Sequence, residues 1–182
     1  MNFDWELPRL RVASGLLARM LNGWSLSGIA TIQSGLPFSV FDSSAATVFA
    51  ATGSRAQLAP GATLGAISKE GSVHSRLNSY FNAAGFAAAP ALGNGAGFGD
   101  SGRNLLRGPD QRNWDLAVVK RFAIGWPDKD ARVDLRGEFF NAFNTVNFGQ
   151  PGNNRLSPAT LGIINSTTVA PRIIQLALKF SF

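Results

Sequence analysis

Polar and apolar residues alternate with a period of two along several segments of this chain, and this pattern limits the folds open to it. Between Arg132 and Phe139 every second residue is charged, and the residues between them are apolar or glycine. Near the C-terminus the apolar residues again fall on alternate positions, namely Ile174, Leu176, Leu178, Phe180 and Phe182. Successive side chains of a β-strand point to opposite faces, so the pattern predicts strands with one polar and one apolar face.

We predict five such strands, over residues 2–9, 23–41, 112–124, 132–143 and 172–182. Short connections alternate with two long loops, which span residues 42–111 and 144–171. Strands of about 9–11 residues cross a bilayer when they are tilted. Outer-membrane barrels join such strands by short turns on the periplasmic side and longer loops on the extracellular side. In the longer loop, rich in Ala, Gly and Ser, we expect either a surface binding loop or partial disorder.

Aromatic residues mark the ends of the predicted strands, as in the girdles of membrane barrels. Trp24, Phe122 and Trp126 fall near the short turns, and Trp114 falls near a long loop. Together with the alternation and the loop lengths, they predict an all-β fold: a segment of an antiparallel transmembrane β-barrel with long extracellular loops. Alternation alone would also suit a soluble β protein whose apolar strand faces pack on each other.

The composition excludes several classes of functional site. The chain has no cysteine and one histidine, which excludes a disulfide scaffold, a thiolate metal site and a zinc site with paired imidazoles. The formal net charge is +6, but the 17 basic residues are spread along the chain rather than clustered, which argues against nucleic-acid binding. No catalytic constellation is evident, and we predict no enzyme activity, no metal and no cofactor. The N-terminal residues lack the basic start and apolar run of a signal peptide.

Five longer stretches form a pattern in a fixed order. They are GWSLSGIATIQSGLPFSV (23–40), YFNAAGF (80–86), GRNLLRGPDQRNWDLAVVKRF (102–122), RVDLRGEFFNAFNTVNFGQP (132–151) and PRIIQLALKFSF (171–182). This pattern resembles the C-terminal end of the TonB-dependent outer-membrane receptors of Gram-negative bacteria. Among these it is similar to the Oar-like branch, whose members carry a carboxypeptidase-regulatory-like domain. The resemblance covers nearly the whole chain.

The resemblance implies a barrel of about 22 strands with a plug domain in its lumen. Five strands cannot close a barrel, because the smallest outer-membrane barrels have about eight. The expected partners are therefore outer-membrane lipid, the barrel-assembly machinery, and the remainder of the receptor barrel and plug. The TonB complex would be reached only through N-terminal parts that are missing from this sequence. We expect a location in the cell outer membrane, as part of a longer protein, and the resemblance leaves the ligand undefined.

Three groups of residues are candidates for a functional role. The apolar positions at the C-terminus resemble the signal that the barrel-assembly machinery reads by strand addition, although an ordinary lipid-facing strand would look the same. Lumen-facing positions, as a solvated wall or as a contact with plug or substrate, are predicted for Arg132, Asp134, Arg136 and Glu138. Binding of an anionic ligand, or anchoring of the loop at the barrel rim, is predicted for Arg103, Asn104, Arg107 and Asp110.

The sequence thus predicts the C-terminal barrel segment of a TonB-dependent receptor, which cannot transport a ligand alone. One alternative is a structural or adhesive surface protein that uses its barrel to display the long loops. Another is an inert truncation product. A plug and a TonB-contacting segment upstream would favour the receptor over surface display.

Overall fold

The structure, a computed structural model, describes residues 1–11, 15–44, 54–93, 97–126 and 128–182. Its strands are β1 (Asn2–Glu6), β2 (Trp24–Gln33), β3 (Pro37–Phe38), β4 (Gln57–Leu58), β5 (Phe86–Ala87), β6 (Leu106–Arg107), β7 (Gln111–Ala123), β8 (Arg132–Phe140) and β9 (Ile173–Ser181). Its helices are α1 (Leu16–Leu21) and α2 (Leu64–Ile67), with short 3-10 helices at His74–Arg76 and Ala83–Gly85. No helix in this described part of the chain has the length and apolar character needed to cross a membrane.

The chain divides into two compact units. The first, which we call the sheet unit, comprises Met1–Ile32, Arg112–Val146 and Val169–Phe182. The second, the loop unit, comprises Gln33–Gln111 and Asn147–Thr168. The loop unit therefore contains most of the two long connections that the sequence analysis placed between strands.

The sheet unit contains five strands in the order β1-β2-β7-β8-β9. The pairs β1–β2, β7–β8 and β8–β9 are antiparallel. This arrangement confirms the predicted all-β fold. The bounds of β7 and β9 differ from the predicted ones by one residue at each end. β1 ends at Glu6 rather than at residue 9, because Pro8 has no amide hydrogen with which to continue a ladder.

β2 ends at Gln33 rather than at the predicted residue 41. Gly35 lies so close to another backbone segment that a Cβ on it would collide with the carbonyl oxygen of Gly108. The amide of Gly108 also donates a hydrogen bond of 3.0 Å to the carbonyl of Leu36. Strand β3 then pairs with β6 in a separate two-stranded sheet. The residues after Gln33 therefore belong to the loop unit, although their sequence continues the β pattern.

β8 ends at Phe140 rather than at the predicted residue 143. Asn141 has a φ of 49°, in the left-handed region that stops a strand. Its backbone amide donates to Oδ1 of Asp115 over 2.8 Å. Its side-chain amide donates to the carbonyls of Thr145 and Ala170, each over 3.0 Å. These contacts fix the turn that leads out of the sheet.

The loop unit has its own hydrophobic core. Phe81 is only 2% exposed, and its ring lies 6.0 Å from that of Phe38 and 5.7 Å from that of Phe86. The core consists of Phe38, Val40, Ala56, Ile67, Tyr80, Phe81, Phe86, Leu106 and Ile164. Part of the predicted loop, residues 45–53 and 94–96, lies outside the described residues. The described remainder is packed, which composition alone did not predict.

A buried carboxylate ties together distant segments of the loop unit. Oδ2 of Asp42 accepts hydrogen bonds from the amide of Ala89 at 2.8 Å and from Nε of Arg155 at 3.1 Å. Its Oδ1 accepts one from the amide of Ser44 at 3.0 Å. Burial acts to raise the pKa of Asp42, but these hydrogen bonds and the charge of Arg155 outweigh it and hold the pKa below its usual value.

Candidate functional site

The strands of the sheet unit present a shared apolar face. Directly paired residues of antiparallel strands lie on the same face, and a Cβ on Gly28 would lie 2.8 Å from side-chain atoms of both Leu116 and Phe3. This face remains exposed, with Leu176 at 74% and Leu178 at 71%. The apolar face comprises Phe3, Trp5, Trp24, Leu26, Gly28, Ala30, Trp114, Leu116, Val118, Lys120, Phe122, Val133, Leu135, Gly137, Phe139, Ile174, Leu176, Leu178 and Phe180.

The opposite, polar face carries ion pairs along and between strands. Nη2 of Arg136 lies 2.7 Å from Oε1 of Glu138. Between strands, Nη1 of Arg121 lies 3.0 Å from Oε1 of Glu6. The predicted lumen-facing residues all lie on this face, namely Arg132, Asp134, Arg136 and Glu138. Exposed ion pairs contribute little individually, and the orientation of this face toward a lumen stays a prediction.

Lys120 lies on the apolar face and is nevertheless only 2% exposed. Its Nζ donates a hydrogen bond of 2.7 Å to the carbonyl of Arg19 and another to the carbonyl of Asn22, at the C-terminal end of α1. The same Nζ lies 5.3 Å from the ring centroid of Trp24 and 4.9 Å from that of Phe122. Helix carbonyls and aromatic faces both stabilise a cation. The lysine that interrupts the apolar pattern in the sequence is therefore fully accommodated.

The predicted girdle residues lie near strand ends. Trp114 and Phe122 are eight positions apart on β7, or about 27 Å along a strand. At a tilt of about 40° this length spans about 21 Å of a barrel's apolar band of about 25 Å. Trp114 packs edge-on against Phe143 with ring centroids 6.0 Å apart, and Nε1 of Trp24 donates to the carbonyl of Met20 over 2.9 Å. Trp126 is 75% exposed. Their role at a membrane interface stays a prediction.

The C-terminal strand lies at the edge of the sheet. β9 pairs with β8 along one side only, within the described residues. The proposed assembly-signal residues on it are exposed, and the rings of Phe180 and Phe182 stack 5.4 Å apart. Strand addition requires an unpaired strand edge with side chains at alternate positions that a partner can recognise. The structure is therefore compatible with the predicted signal, which stays a prediction.

The loop unit contains a cleft of about 420 Å³, which we call the loop cleft. It is lined by Phe38, Ser39, Phe41, Arg55, Arg103, Asn104 and Asn153. Of the four predicted rim residues, the cleft brings together Arg103 and Asn104. Arg107 instead donates to the carbonyl of Gly35 over 3.3 Å, and Asp110 does not line the cleft.

Arg55 is the basic residue of the cleft that sequence reasoning missed. It follows a stretch rich in Ala and Thr, without periodicity or motif, so no local signal marks it. The structure brings it to the cleft through a β-bridge with Phe41. No group of three or more His, Asp or Glu side chains in the described ranges is placed to hold a metal ion.

The family model described as "Outer membrane beta barrel domain" matches residues 1–175. No curated protein and no solved structure matches the chain.

Proposed function

Because the chain belongs to the outer-membrane β-barrel domain family, we propose that its sheet forms part of the wall of a TonB-dependent receptor of the Oar-like branch. The observation that carries this proposal is the two-faced sheet. An exposed apolar face continues across the strands, and ion pairs occupy the other face. A wall between lipid and an aqueous lumen needs this division. The ordered sequence motifs support the receptor branch.

In this proposal, the wall is completed by further strands. The outer sides of β1 and β9 have no strand partner in the described residues. In lipid, each backbone group left unpaired at such an edge would cost several kcal/mol. The sheet is therefore a segment that joins the remainder of a barrel, and it does not transport a ligand alone. The polar face would contact a plug, and the edge of β9 would be read by the barrel-assembly machinery.

The segment would have no catalytic role. Its contribution is to separate lipid from lumen and to present the loop unit on the extracellular side, as the alternation of connection lengths predicts. The TonB complex would act through N-terminal parts outside this sequence.

Fractionation of the native cells tests the proposal. An antibody to the loop unit should detect a large outer-membrane band whose mobility changes on heating, as for a folded barrel. In a second step, the detergent-extracted protein is passed over an immobilised periplasmic domain of TonB, with a barrel that lacks a plug as the control. Retention of the large band would support the receptor.

The alternative with a specific observation behind it is surface display. The loop unit has its own core, as a displayed adhesive module would need. A heat-modifiable outer-membrane band that TonB does not retain would favour this role. A band at the chain's own 19.3 kDa, outside the outer membrane, would indicate a truncation product and overturn both proposals.

A further inference from the structure

The loop cleft contains cationic groups that the described residues leave unpaired. Nε of Arg55 is buried and has no hydrogen-bond partner. Arg103 is exposed, and within the described ranges no hydrogen bond or ion pair involves its guanidinium. None of the lining residues is acidic. A buried polar atom without a partner costs about 1–3 kcal/mol, and this one belongs to a residue that lines the cleft.

Arg155, an arginine outside the cleft, shows the contrast. Arg155, in the same unit, is paired with the buried carboxylate of Asp42 at 3.1 Å. That carboxylate is already occupied by the amides of Ala89 and Ser44 as well. It therefore has little capacity left for a second guanidinium.

The floor of the cleft is held by hydrogen bonds of main-chain and side-chain groups. Oγ of Ser39 accepts a hydrogen bond of 2.8 Å from the amide of Asn104, and its carbonyl accepts one of 2.9 Å from Nδ2 of Asn153. The amide of Phe41 donates to the carbonyl of Asn153 over 2.8 Å. These bonds join three separate segments, so the groups that face a ligand are positioned before it binds.

We propose that the loop cleft binds a small organic anion through a carboxylate or phosphate group held by Arg55 and Arg103. Guanidinium groups match both anions with paired N–H donors. Phe38 and Phe41 supply an apolar surface for the ligand's body, and the side-chain amides of Asn104 and Asn153 add polar contacts. The volume of about 420 Å³ suits a ligand of one ring or a short chain. This inference deepens the proposed receptor function by naming the class of ligand.

Calorimetric titration of the intact protein in detergent tests the inference. The probes are glucuronate and glucose 6-phosphate, which carry the two anionic groups, and glucose, which lacks both. We expect saturable binding of at least one anion and none of glucose. Arg55→Gln and Arg103→Gln should each weaken that binding about tenfold or more, since a charge-assisted bond is lost. The matched control is Arg11→Gln, which removes the same charge from an exposed site in the sheet unit.

The anion that binds identifies the group that the cleft prefers. Failure of every probe to saturate up to about 10 mM would overturn the inference. Equal loss of binding in Arg11→Gln would also overturn it, because net charge would then explain the effect. Because Arg103 is exposed, Arg103→Gln remains informative if Arg55→Gln does not fold. A protein that TonB retains but that binds no anion would refute anion binding by the loop cleft. The receptor proposal would not be affected.

Discussion

The ammonium of Lys120 lies 2.7 Å from the carbonyl oxygen of Arg19, at the end of a short helix that precedes β2. A charged group on the apolar face of a membrane barrel is destabilising near the midplane of the bilayer. Here the charge lies near the end of β7 and is covered by helix carbonyls and two aromatic rings. The first connection of the sheet unit therefore contributes to the stability of its third strand.

Replacing Lys120 with methionine should destabilise the protein by about 1–2 kcal/mol. The substitution keeps most of the side-chain volume but leaves the carbonyls of Arg19 and Asn22 without their donor. Urea unfolding of the intact protein in lipid vesicles measures the change. Lys129→Met is the control, because Lys129 is exposed in a turn. Equal midpoints for the two variants would contradict the prediction.

The sequence shows where the apolar pattern breaks, but not how the break is accommodated. Lys120 and its carbonyl partners are about a hundred positions apart in the chain, and no local pattern encodes such a contact. The strands themselves are predictable because period two follows directly from strand geometry. The ends of β2 and β8 are less predictable, since the contact at Gly35 and the turn at Asn141 depend on distant residues.

The residues of the loop cleft also include some that the sequence predicts and some that it does not. Arg103 and Asn104 lie within the ordered stretch 102–122 and do line the loop cleft. Arg55 lies much earlier in the chain and is part of no motif. It reaches the cleft only through tertiary pairing with Phe41. The hydrophobic core of the loop unit was similarly hidden, because its residues are spread over several short segments without periodicity.

Gly23 connects α1 to β2 and should not tolerate a side chain. Its φ is 80°, and a Cβ would lie 2.7 Å from the carbonyl oxygen of Arg121. Gly23→Ala should therefore cost about 3 kcal/mol or more, from backbone strain together with the clash. Gly125→Ala separates the two effects, because Gly125 has a φ of 68° and open space around it. We expect a loss of only about 1 kcal/mol there. If urea unfolding showed the same loss of unfolding free energy in both variants, the clash would make no contribution.

The two faces of β9 should differ in how well they tolerate an added positive charge. Leu176→Arg places a cation on the apolar face and should cost about 2–4 kcal/mol near the centre of a bilayer. Gln175→Arg places it on the polar face, opposite Glu138, and should change stability by less than about 0.5 kcal/mol. The yield of heat-modifiable protein in isolated outer membranes gives the comparison. Loss of assembly in Gln175→Arg with normal assembly of Leu176→Arg would reverse the assignment of the faces.

The buried carboxylate of Asp42 should make the loop unit sensitive to acid. Its pKa in the folded protein lies below the usual value of 3.8, so ionised Asp42 stabilises the fold above that pH. This stabilisation should decline as the pH falls from about 4 through the lowered pKa. Asp42→Asn should cost about 2–3 kcal/mol at neutral pH, because Arg155 loses its charged partner. In this variant the free energy of unfolding should also lose the acid-dependent contribution of Asp42.

Hydrogen exchange at the amide of Ala89, which donates to Asp42, reports on this contact directly. Corrected for the intrinsic effect of pH, its protection should decrease below about pH 4 in the unmodified protein and be low throughout in Asp42→Asn. Glu70→Gln removes an exposed carboxylate from the same unit and should leave the protection unchanged. Protection that stays constant through this pH range in the unmodified protein would show that Asp42 does not control the acid stability of the loop unit.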